Sequence, residues 1–298
     1  MTSTPMSRRN RSGLAPYLLV APAVILILLV FAYPIGRILV DSLLSPTAQR
    51  GTTVGLANFS FVLGDPIFWQ GARNNLFLLA GVPVLTTLAL LFAVILFDRI
   101  RGWRIYRTLV FIPYILAVPV IGTTFGYLYG FNGIVNTLLR DVGAPGLAQD
   151  WLGNAKLVTP SILSVIIYRE VGFGVMLFLA RMASIREELY EAAMLDGAGW
   201  WARLRYVTIP QLRTVIGFFV IIELITMLSW VFAYVYSMTG GGPGFASNVL
   251  ELYIWKNAFA YHAVGIASAV AVLLLVAASV LIVVQMLIRG DERETGEE

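Results

Sequence analysis

The sequence predicts an all-α membrane protein with six transmembrane helices, and three observations lead to this fold class. Hydrophobic residues make up 58% of the 298 residues and charged residues 13%, whereas a typical soluble domain is about half apolar and about a quarter charged. The mean hydropathy is +0.81. Six stretches with very few charges are each long enough, at about 20 residues, to cross a bilayer. The composition argues against a soluble enzyme, a disordered protein and a nucleic-acid-binding protein.

The predicted spans follow one another along the whole chain. The first is longer than the roughly 7–15 residues of the apolar part of a signal peptide, so we expect a retained helix rather than a cleaved leader. Pro113 and Pro119 should kink the third span, because proline lacks the N–H group that continues a helix. The spans are expected near residues 14–40, 73–97, 105–130, 158–181, 212–238 and 264–288.

The distribution of positive charge predicts the orientation. Lysine and arginine accumulate in cytoplasmic loops. With a cytoplasmic N-terminus, fourteen arginines fall on the cytoplasmic side and five basic residues on the other. We therefore expect both termini in the cytoplasm. Residues 1–13 would form an N-terminal segment, residues 14–288 the transmembrane domain, and residues 289–298 an acidic cytoplasmic tail.

Few reactive side chains are present. The chain has no cysteine and one histidine, His262, so we expect no disulfide, no thiol nucleophile and no cysteine- or histidine-based metal site. The sequence contains no G-x-x-x-x-G-K-[ST] phosphate-binding loop, so the chain does not hydrolyse ATP by that route. We predict no catalytic residue and no cofactor.

The longest predicted cytoplasmic loop, residues 182–211, has helical signals of its own. Ser184 and Glu187 have the spacing of a capping box, in which each side chain bonds a backbone amide at the start of a helix. A helix is predicted over Ile185–Asp196. Gly197 should end it, because glycine adopts the left-handed conformation that follows many helices.

A second helix, Trp200–Thr208, is expected to end before Pro210. Together the two helices would form a helix–turn–helix element at the cytoplasmic face. Composition alone leaves open a simpler interpretation, an amphipathic pair of helices that rests on lipid headgroups.

Six residues of this loop carry a specific resemblance. With Ile209-Pro210 about a dozen positions further on, they resemble the EAA loop of bacterial ABC importer permeases. The string Thr239–Pro243, with three glycines, is similar to a loop of the MalF/UgpA-type permeases of the carbohydrate-uptake family. The six residues are Glu191, Ala192, Ala193, Asp196, Gly197 and Ala198.

The resemblance implies the type I ABC importer permease fold, with the EAA loop as a cytoplasmic coupling helix. The implied function is that of a permease subunit of an ATP-driven importer in the bacterial inner membrane, carrying a sugar, an oligosaccharide or a glycerol-phosphate-like solute. The implied partners are a MalG-type permease, two cytoplasmic ATPase subunits, an extracytoplasmic sugar-binding protein and membrane lipid. ATP hydrolysis is then expected on the ATPase subunits, and this chain would not be an enzyme.

Ionisable residues inside spans are costly and mark functional sites. Glu223 lies in the middle of the fifth span, and helical spacing places Thr226, Met227, Trp230 and Tyr234 on its face. Sugars suit such a surface, because a sugar ring stacks on an aromatic side chain while its hydroxyls bond to polar groups. We therefore predict that this face lines the substrate path. The alternative is a helix–helix interface in which Glu223 bonds to a neighbouring helix and Trp230 only packs.

The fourth span carries the adjacent residues Arg169 and Glu170. Neighbouring side chains on a helix diverge by about 100°, so we expect these two not to pair. Arg169 shares a face with Phe173, and we predict that both lie near the substrate path. Two further arrangements stay open: Arg169 pairs with Glu223, or both face the partner permease. A relay through these two charges keeps one alternative function open, a proton-coupled secondary carrier, although an inverted-repeat carrier fits the pattern poorly.

Overall fold

The computed structural model describes residues 15–44, 54–98 and 101–294. The regular elements in these ranges are helices, apart from one isolated antiparallel bridge between Leu44 and Val54. The α-helices are α1 (Ala15–Ile27), α2 (Tyr33–Leu43), α3 (Ala57–Gly64), α4 (Pro66–Leu79), α5 (Val82–Phe97), α6 (Trp103–Ile115), α7 (Val118–Leu128), α8 (Ile134–Asp141), α9 (Val158–Met182), α10 (Glu187–Leu195), α11 (Trp200–Arg203), α12 (Ile209–Ser229), α13 (Phe232–Met238), α14 (Leu250–Trp255) and α15 (Val264–Glu294); π-helical turns lie at Leu28–Ala32, Leu204–Thr208 and Lys256–Ala260.

Six apolar segments of the described chain are long enough to cross a membrane, if the bent pair α6 and α7 counts as one. Each overlaps one of the six predicted spans. The last helix continues to Glu294, past the predicted end of the membrane domain at residue 288. Residues 1–14, with the predicted N-terminal segment, and residues 295–298 of the predicted tail lie outside the described ranges.

The third span is broken rather than kinked. α6 and α7 meet at an angle of 101°, and Leu116 and Ala117 between them have extended backbone, with ψ of 143° and 136°. Pro119 lies in the first turn of α7, where its missing N–H costs no helical bond, but it cannot bond back to α6. The chain therefore turns by about a right angle. The Leu116 carbonyl is left available to another partner.

The fifth span departs from its prediction at both ends. α11, the Leu204–Thr208 turn and α12 form one continuous helix, Trp200–Ser229. The expected end before Pro210 is wrong, because this proline lies in the first turn of α12 and the wide π-helical turn before it accommodates the ring. At its other end the helix stops at Ser229. Trp230 has non-helical backbone, with φ −125° and ψ 3°, and α13 follows.

α9 lies at the centre of the bundle and packs against α5, α6 and α12. Ile162, Ile166 and Phe178 of α9 are fully buried. The Phe178 ring meets the ring of Phe219 of α12 edge to face, with centroids 5.3 Å apart. A second apolar cluster joins α3, α4, α14 and α15. This packing fixes α9 and α12, the two helices that carry the charged residues predicted at membrane depth.

Two buried asparagines of α4 hold the connection between α13 and α14. The Asn74 amide donates to the carbonyls of Ala246 and Asn248, at 2.7 Å each. The Asn75 Oδ1 accepts from the Leu250 amide at 2.9 Å. Buried backbone groups need such partners, so the two side chains replace missing backbone bonds and fix this connection against the bundle.

The first helical segment is hardly covered by the rest of the chain. Its large apolar side chains with described positions, from Tyr17 to Val40, are 37–83% exposed. Only its second half, α2, packs closely against α15. An apolar surface of this extent has to be covered by lipid or by another subunit.

Candidate functional site

Charged, hydroxylated and aromatic side chains come together in a cavity of about 230 Å³. It lies where α9, the end of α12 and the break between α6 and α7 meet. Three of the predicted path residues, Arg169, Thr226 and Trp230, share it. The lining residues are Tyr114, Val118, Arg169, Glu170, Thr226, Trp230 and Tyr234.

Arg169 and Glu170 form an ion pair, contrary to the expectation that they diverge. The Arg169 Nη1 lies 2.5 Å from the Glu170 Oε1. The divergence of about 100° applies to the Cβ positions, and the long arginine side chain reaches around the helix. The Arg169 Nε also donates to the Leu116 carbonyl at 3.2 Å, and the Tyr234 hydroxyl donates to the Glu170 Oε1 at 2.9 Å. Each charge is therefore partnered.

Aromatic rings complete the surroundings of the pair. The Arg169 guanidinium carbon lies 5.0 Å from the centroid of the Tyr114 ring, within the range of a cation–π contact. Tyr114 in turn stacks on Phe173, with centroids 5.1 Å apart. Phe173 is thus near the cavity but lies behind Tyr114 and does not line it. In contrast, Trp230 is 71% exposed and is free to meet a ligand.

Glu223 and Met227 do not line this cavity, so the predicted single face of the fifth span is wrong. The two side chains are 1% and 0% exposed. Neither carboxyl oxygen of Glu223 has a hydrogen-bond partner among the described residues, so the Arg169–Glu223 pair is not formed. Within α12, Glu223 and Met227 are buried by packing while Thr226 reaches the cavity. The helical spacing does not extend to Trp230, because α12 ends at Ser229 and the chain leaves the helical path there.

Sequence reasoning missed Glu170 and Tyr114 as cavity residues. The position of Glu170 beside Arg169 did indicate a role. We left Glu170 out because adjacent side chains on a helix were expected to diverge. Tyr114 had none, because it comes from another span and reaches Arg169 only through the packing of α6 on α9.

The second site element is the loop around α10. Gly197 has φ +77° and ends this helix as predicted. The Gly197 amide bonds to the Met194 carbonyl at 3.0 Å, and the Ala198 amide bonds to the Ala193 carbonyl at 2.9 Å. These two bonds define a Schellman motif, which requires the left-handed residue at this position.

The predicted capping box is not formed. α10 begins at Glu187, its N-cap is Arg186, and no side chain bonds the first amides. The Ser184 Oγ instead donates to the Arg181 carbonyl at 2.7 Å, near the end of α9. A capping box needs serine at the N-cap, and the helix starts too late for Ser184 to occupy that position.

The loop exposes one surface and anchors the other. Four of the six resembling residues, Glu191, Ala192, Asp196 and Gly197, are exposed, and Ala193 and Ala198 are half-buried. The neighbouring Leu195 is also largely exposed.

The anchoring side contacts the ends of three spans. The Trp200 Nε1 donates to the Asp98 Oδ2 at 2.8 Å, just after α5. The hydroxyls of Tyr190 and Thr208 lie 3.1 Å apart, which links α10 to the start of α12. The Arg181 Nε of α9 donates to the Gln211 carbonyl at 3.0 Å. The loop is therefore fixed to the bundle as one unit.

Within the described ranges, no group of three or more histidine and carboxylate side chains is placed to hold a metal ion. The arrangement of the cavity suits a solute held by hydrogen bonds and by an aromatic face, and the arrangement of the loop suits protein contact.

Comparison with known proteins places these features in one family. Residues 70–290 match the family described as binding-protein-dependent transport system inner membrane component. The chain is 34% identical over 284 residues to the probable ABC transporter permease protein YurN of Bacillus subtilis, which covers 93% of this chain and 96% of that protein. It is 33% identical to the lactose transport system permease protein LacF of Rhizobium radiobacter, with coverage of 86% and 89%.

The chain is also 29% identical to the sn-glycerol-3-phosphate transport system permease protein UgpA of Agrobacterium fabrum, with coverage of 88% and 89%. Its fold is similar to a chain of a bacterial ABC transporter involved in the import of the acidic polysaccharide alginate. The TM-score is 0.80 at 21% identity, with 92% of this chain and 94% of that chain covered.

Removing one member of the ion pair should destabilise the chain more than removing both. Glu170→Leu leaves Arg169 without its counter-ion in an apolar site, which typically costs about 3–5 kcal/mol. The double variant Arg169→Leu/Glu170→Leu should recover much of this loss. Thermal unfolding of the two single variants and the double variant in detergent measures the coupling, and additive effects would show that the pair is not formed.

Proposed function

Because this chain belongs to the family of binding-protein-dependent transport system inner membrane components, as a permease subunit of the carbohydrate ABC importer type, we propose that it forms half of a sugar translocation path and is coupled to a cytoplasmic ATPase. The observation that carries this proposal is the family match over residues 70–290, which includes both the cavity and the α10 loop. Relatives named for transport of lactose and of glycerol 3-phosphate support a polyhydroxylated solute.

The cavity is the proposed part of the path. Thr226, Glu170 and the two tyrosines Tyr114 and Tyr234 supply hydroxyl and carboxylate groups for the solute hydroxyls, and the exposed Trp230 supplies a stacking face. Arg169 orients Glu170 through their direct contact. Met227 and Glu223 would act from behind this surface, by packing rather than by contact with solute.

The α10 loop is the proposed site of coupling. Glu191, Ala192 and Asp196 are exposed and Ala193 is half-buried, so an ATPase subunit can approach the helix backbone closely. Gly197 and Ala198 end the helix in a fixed motif. Because the other side of the loop is bonded to α5, α9 and α12, a push on α10 is passed to the bundle.

The remaining proposed partners are those that the resemblance to ABC importer permeases implies. A MalG-type permease would complete the path opposite the exposed Trp230 and, with lipid, cover the first helix. Two ATPase subunits would supply the energy, and an extracytoplasmic binding protein would deliver the carbohydrate. The protein is a multi-pass inner-membrane protein, and we place its α10 loop and both termini in the cytoplasm.

An uptake assay that compares ATP with a pH gradient as the energy source tests the proposed function directly. The complete complex in proteoliposomes is expected to accumulate the solute carried by its binding protein when ATP is supplied without a pH gradient. Liposomes with a pH gradient and no ATP are the control. Uptake driven by the gradient with this chain alone would contradict the proposal and favour the secondary carrier.

A matched pair of glycines tests the coupling loop. Gly197 and Gly143 have φ of 77° and 79°, and both have open space around them, so valine imposes the same backbone strain at each. We expect Gly197→Val to reduce the ATPase retained in a detergent pull-down, and uptake with it, at least tenfold. Gly143→Val should retain both, and equal loss in the two variants would rule out a local role of the loop.

The variant Trp230→Ala tests whether the cavity is part of the translocation path. Because the ring is mostly exposed, Trp230→Ala should leave the thermal stability nearly unchanged. It should remove about 1–3 kcal/mol of stacking, by analogy with bases on aromatic rings, and lower uptake per assembled complex roughly tenfold or more. Trp69→Ala, at an exposed tryptophan of α4 away from the cavity, is the control. Unchanged transport by Trp230→Ala would remove this residue from the path.

Cysteine labelling tests the orientation in this cysteine-free chain. Ala155 and Ser184 are exposed on opposite sides of the predicted membrane. A membrane-impermeant maleimide should label Ala155→Cys in intact cells and Ser184→Cys only after the cells are opened. The reverse labelling pattern would show that the orientation in the membrane is opposite to the one proposed.

A further inference from the structure

The fifth span is interrupted directly behind the cavity that contains Trp230. The last regular backbone bond of α12 runs from the Trp230 amide to the Thr226 carbonyl, at 2.9 Å. In an unbroken helix the next bond would join the Val231 amide to the Met227 carbonyl. Thr226 and Trp230 line the cavity, whereas Met227 and Val231 are fully buried. The interrupted bond therefore lies on the buried side of the span.

The local sequence does not explain this interruption. Neither proline nor glycine occurs between residues 218 and 239. When these residues are absent, a sharp break in a helix is usually caused by a side chain or a water molecule that inserts into the series of backbone bonds. The cause of the break is therefore to be found in the elements packed behind it.

Asn75 of α4 bonds to one end of the interrupted pair. Its Nδ2 donates to the Met227 carbonyl at 3.3 Å and to the Glu251 Oε2 at 3.2 Å. Its Oδ1 accepts from the Leu250 amide at 2.9 Å, at the start of α14. Asn75 is itself buried. This one side chain therefore joins the end of α12 to the start of α14.

Glu251 lies at the other end of the interrupted pair. It belongs to α14, between the fifth and sixth spans. Burial raises the pKa of the Glu251 carboxyl, and the backbone amide of Glu251, the Asn75 side chain and the Val231 amide lower it. The Val231 amide is thus close enough to stabilise the carboxylate charge. The Glu251 Oε1 is buried without a hydrogen-bond partner in the described ranges, so it keeps acceptor capacity toward this amide.

Two side chains from outside the span thus take the place of one backbone bond. Asn75 supplies the donor for the Met227 carbonyl, and Glu251 supplies an acceptor beside the Val231 amide. Buried backbone groups need partners. The pair supplies them at a point where the helix does not, and it stands directly behind the residues that face the cavity.

We propose that Asn75 and Glu251 are positioning residues of the solute path, which hold the fifth span open so that Trp230 faces the cavity. Without the pair, the Val231 amide and the Met227 carbonyl would bond to each other, and α12 would continue into α13. Trp230 would then lose its present non-helical backbone, with φ −125° and ψ 3°. The inference rests on the proposed role of Trp230, and neither positioning residue lines the cavity.

Pulsed EPR distance measurements test whether Asn75 holds the break. Spin labels on Phe218→Cys of α12 and Tyr236→Cys of α13, both at exposed positions, report the geometry of the break in the assembled transporter with cysteine-free partner subunits. Asn75→Leu should shift the distance toward about 27 Å, the length of an unbroken helix between these positions at 1.5 Å per residue.

Asn74→Leu is the matched control for this measurement. It also removes a buried amide of α4, but one that bonds to the α13–α14 connection rather than to α12. The distance in this variant should stay at the wild-type value. An unchanged distance in Asn75→Leu, or the same shift in Asn74→Leu, would overturn the proposal.

Two variants of Glu251 test the other end of the break. Glu251→Leu removes the acceptor, so it should shift the distance as Asn75→Leu does and lower uptake per assembled complex about tenfold, as expected for loss of the Trp230 contact. Glu251→Gln keeps an acceptor oxygen and the same shape, so it should retain the wild-type distance and most of the uptake. Equal losses in the two variants would show that the acceptor oxygen does not hold the break.

A double-mutant cycle separates a positioning role from general loss of structure. If Glu251 acts through Trp230, adding Glu251→Leu to Trp230→Ala should lower uptake by less than about twofold, because residues that act as a unit are not additive. Losses that multiply would overturn the positioning role. Normal uptake by Trp230→Ala would count against the proposed path, whereas an unchanged distance in Glu251→Leu would count against the present inference alone.

Discussion

The membrane part of this protein depends on the ion pair between Arg169 and Glu170. A charged side chain at membrane depth is costly unless it is paired and hydrogen-bonded. Here the guanidinium meets a carboxylate, the Leu116 carbonyl and the Tyr114 ring, and the carboxylate also accepts from Tyr234. These groups come from three different helical elements, α6 with its C-cap, α9 and α13. In an unbroken helix the Leu116 carbonyl would accept an intrahelical hydrogen bond. Because the helix breaks after α6, this carbonyl is free to accept from Arg169.

One continuous helix connects the two functional elements. It runs from Trp200, which is bonded to Asp98 at the loop end, to Ser229, beside the cavity residue Trp230. Thirty helical residues span about 45 Å. No break in the helix separates the α10 loop from the cavity. Under the proposed function, this helix is the physical link between the ATPase and the solute.

Polar groups without partners and exposed apolar groups show where this chain by itself is incomplete. Asn74 and Asn75 are fully bonded and hold the α13–α14 connection. Asn248 and Glu223 are equally buried and have no side-chain partner in the described ranges. The first helix and Leu195 leave apolar surface uncovered. Lipid and the proposed partner subunits account for the exposed apolar groups.

The sequence by itself determined the membrane class, the six spans and the end of α10 at Gly197. These are local properties, because hydropathy is counted along the chain and glycine carries its left-handed preference wherever it stands. The resemblance of residues 191–198 to an EAA loop was equally readable, and it pointed to the permease family that residues 70–290 match. Only the tertiary structure decided which charges meet. Arg169 pairs with its neighbour because the packing of α6 on α9 brings the Leu116 carbonyl and Tyr114 to it. α12 ends at Ser229, between the buried Glu223 and the exposed Trp230, and no spacing rule carries a helix face across a break.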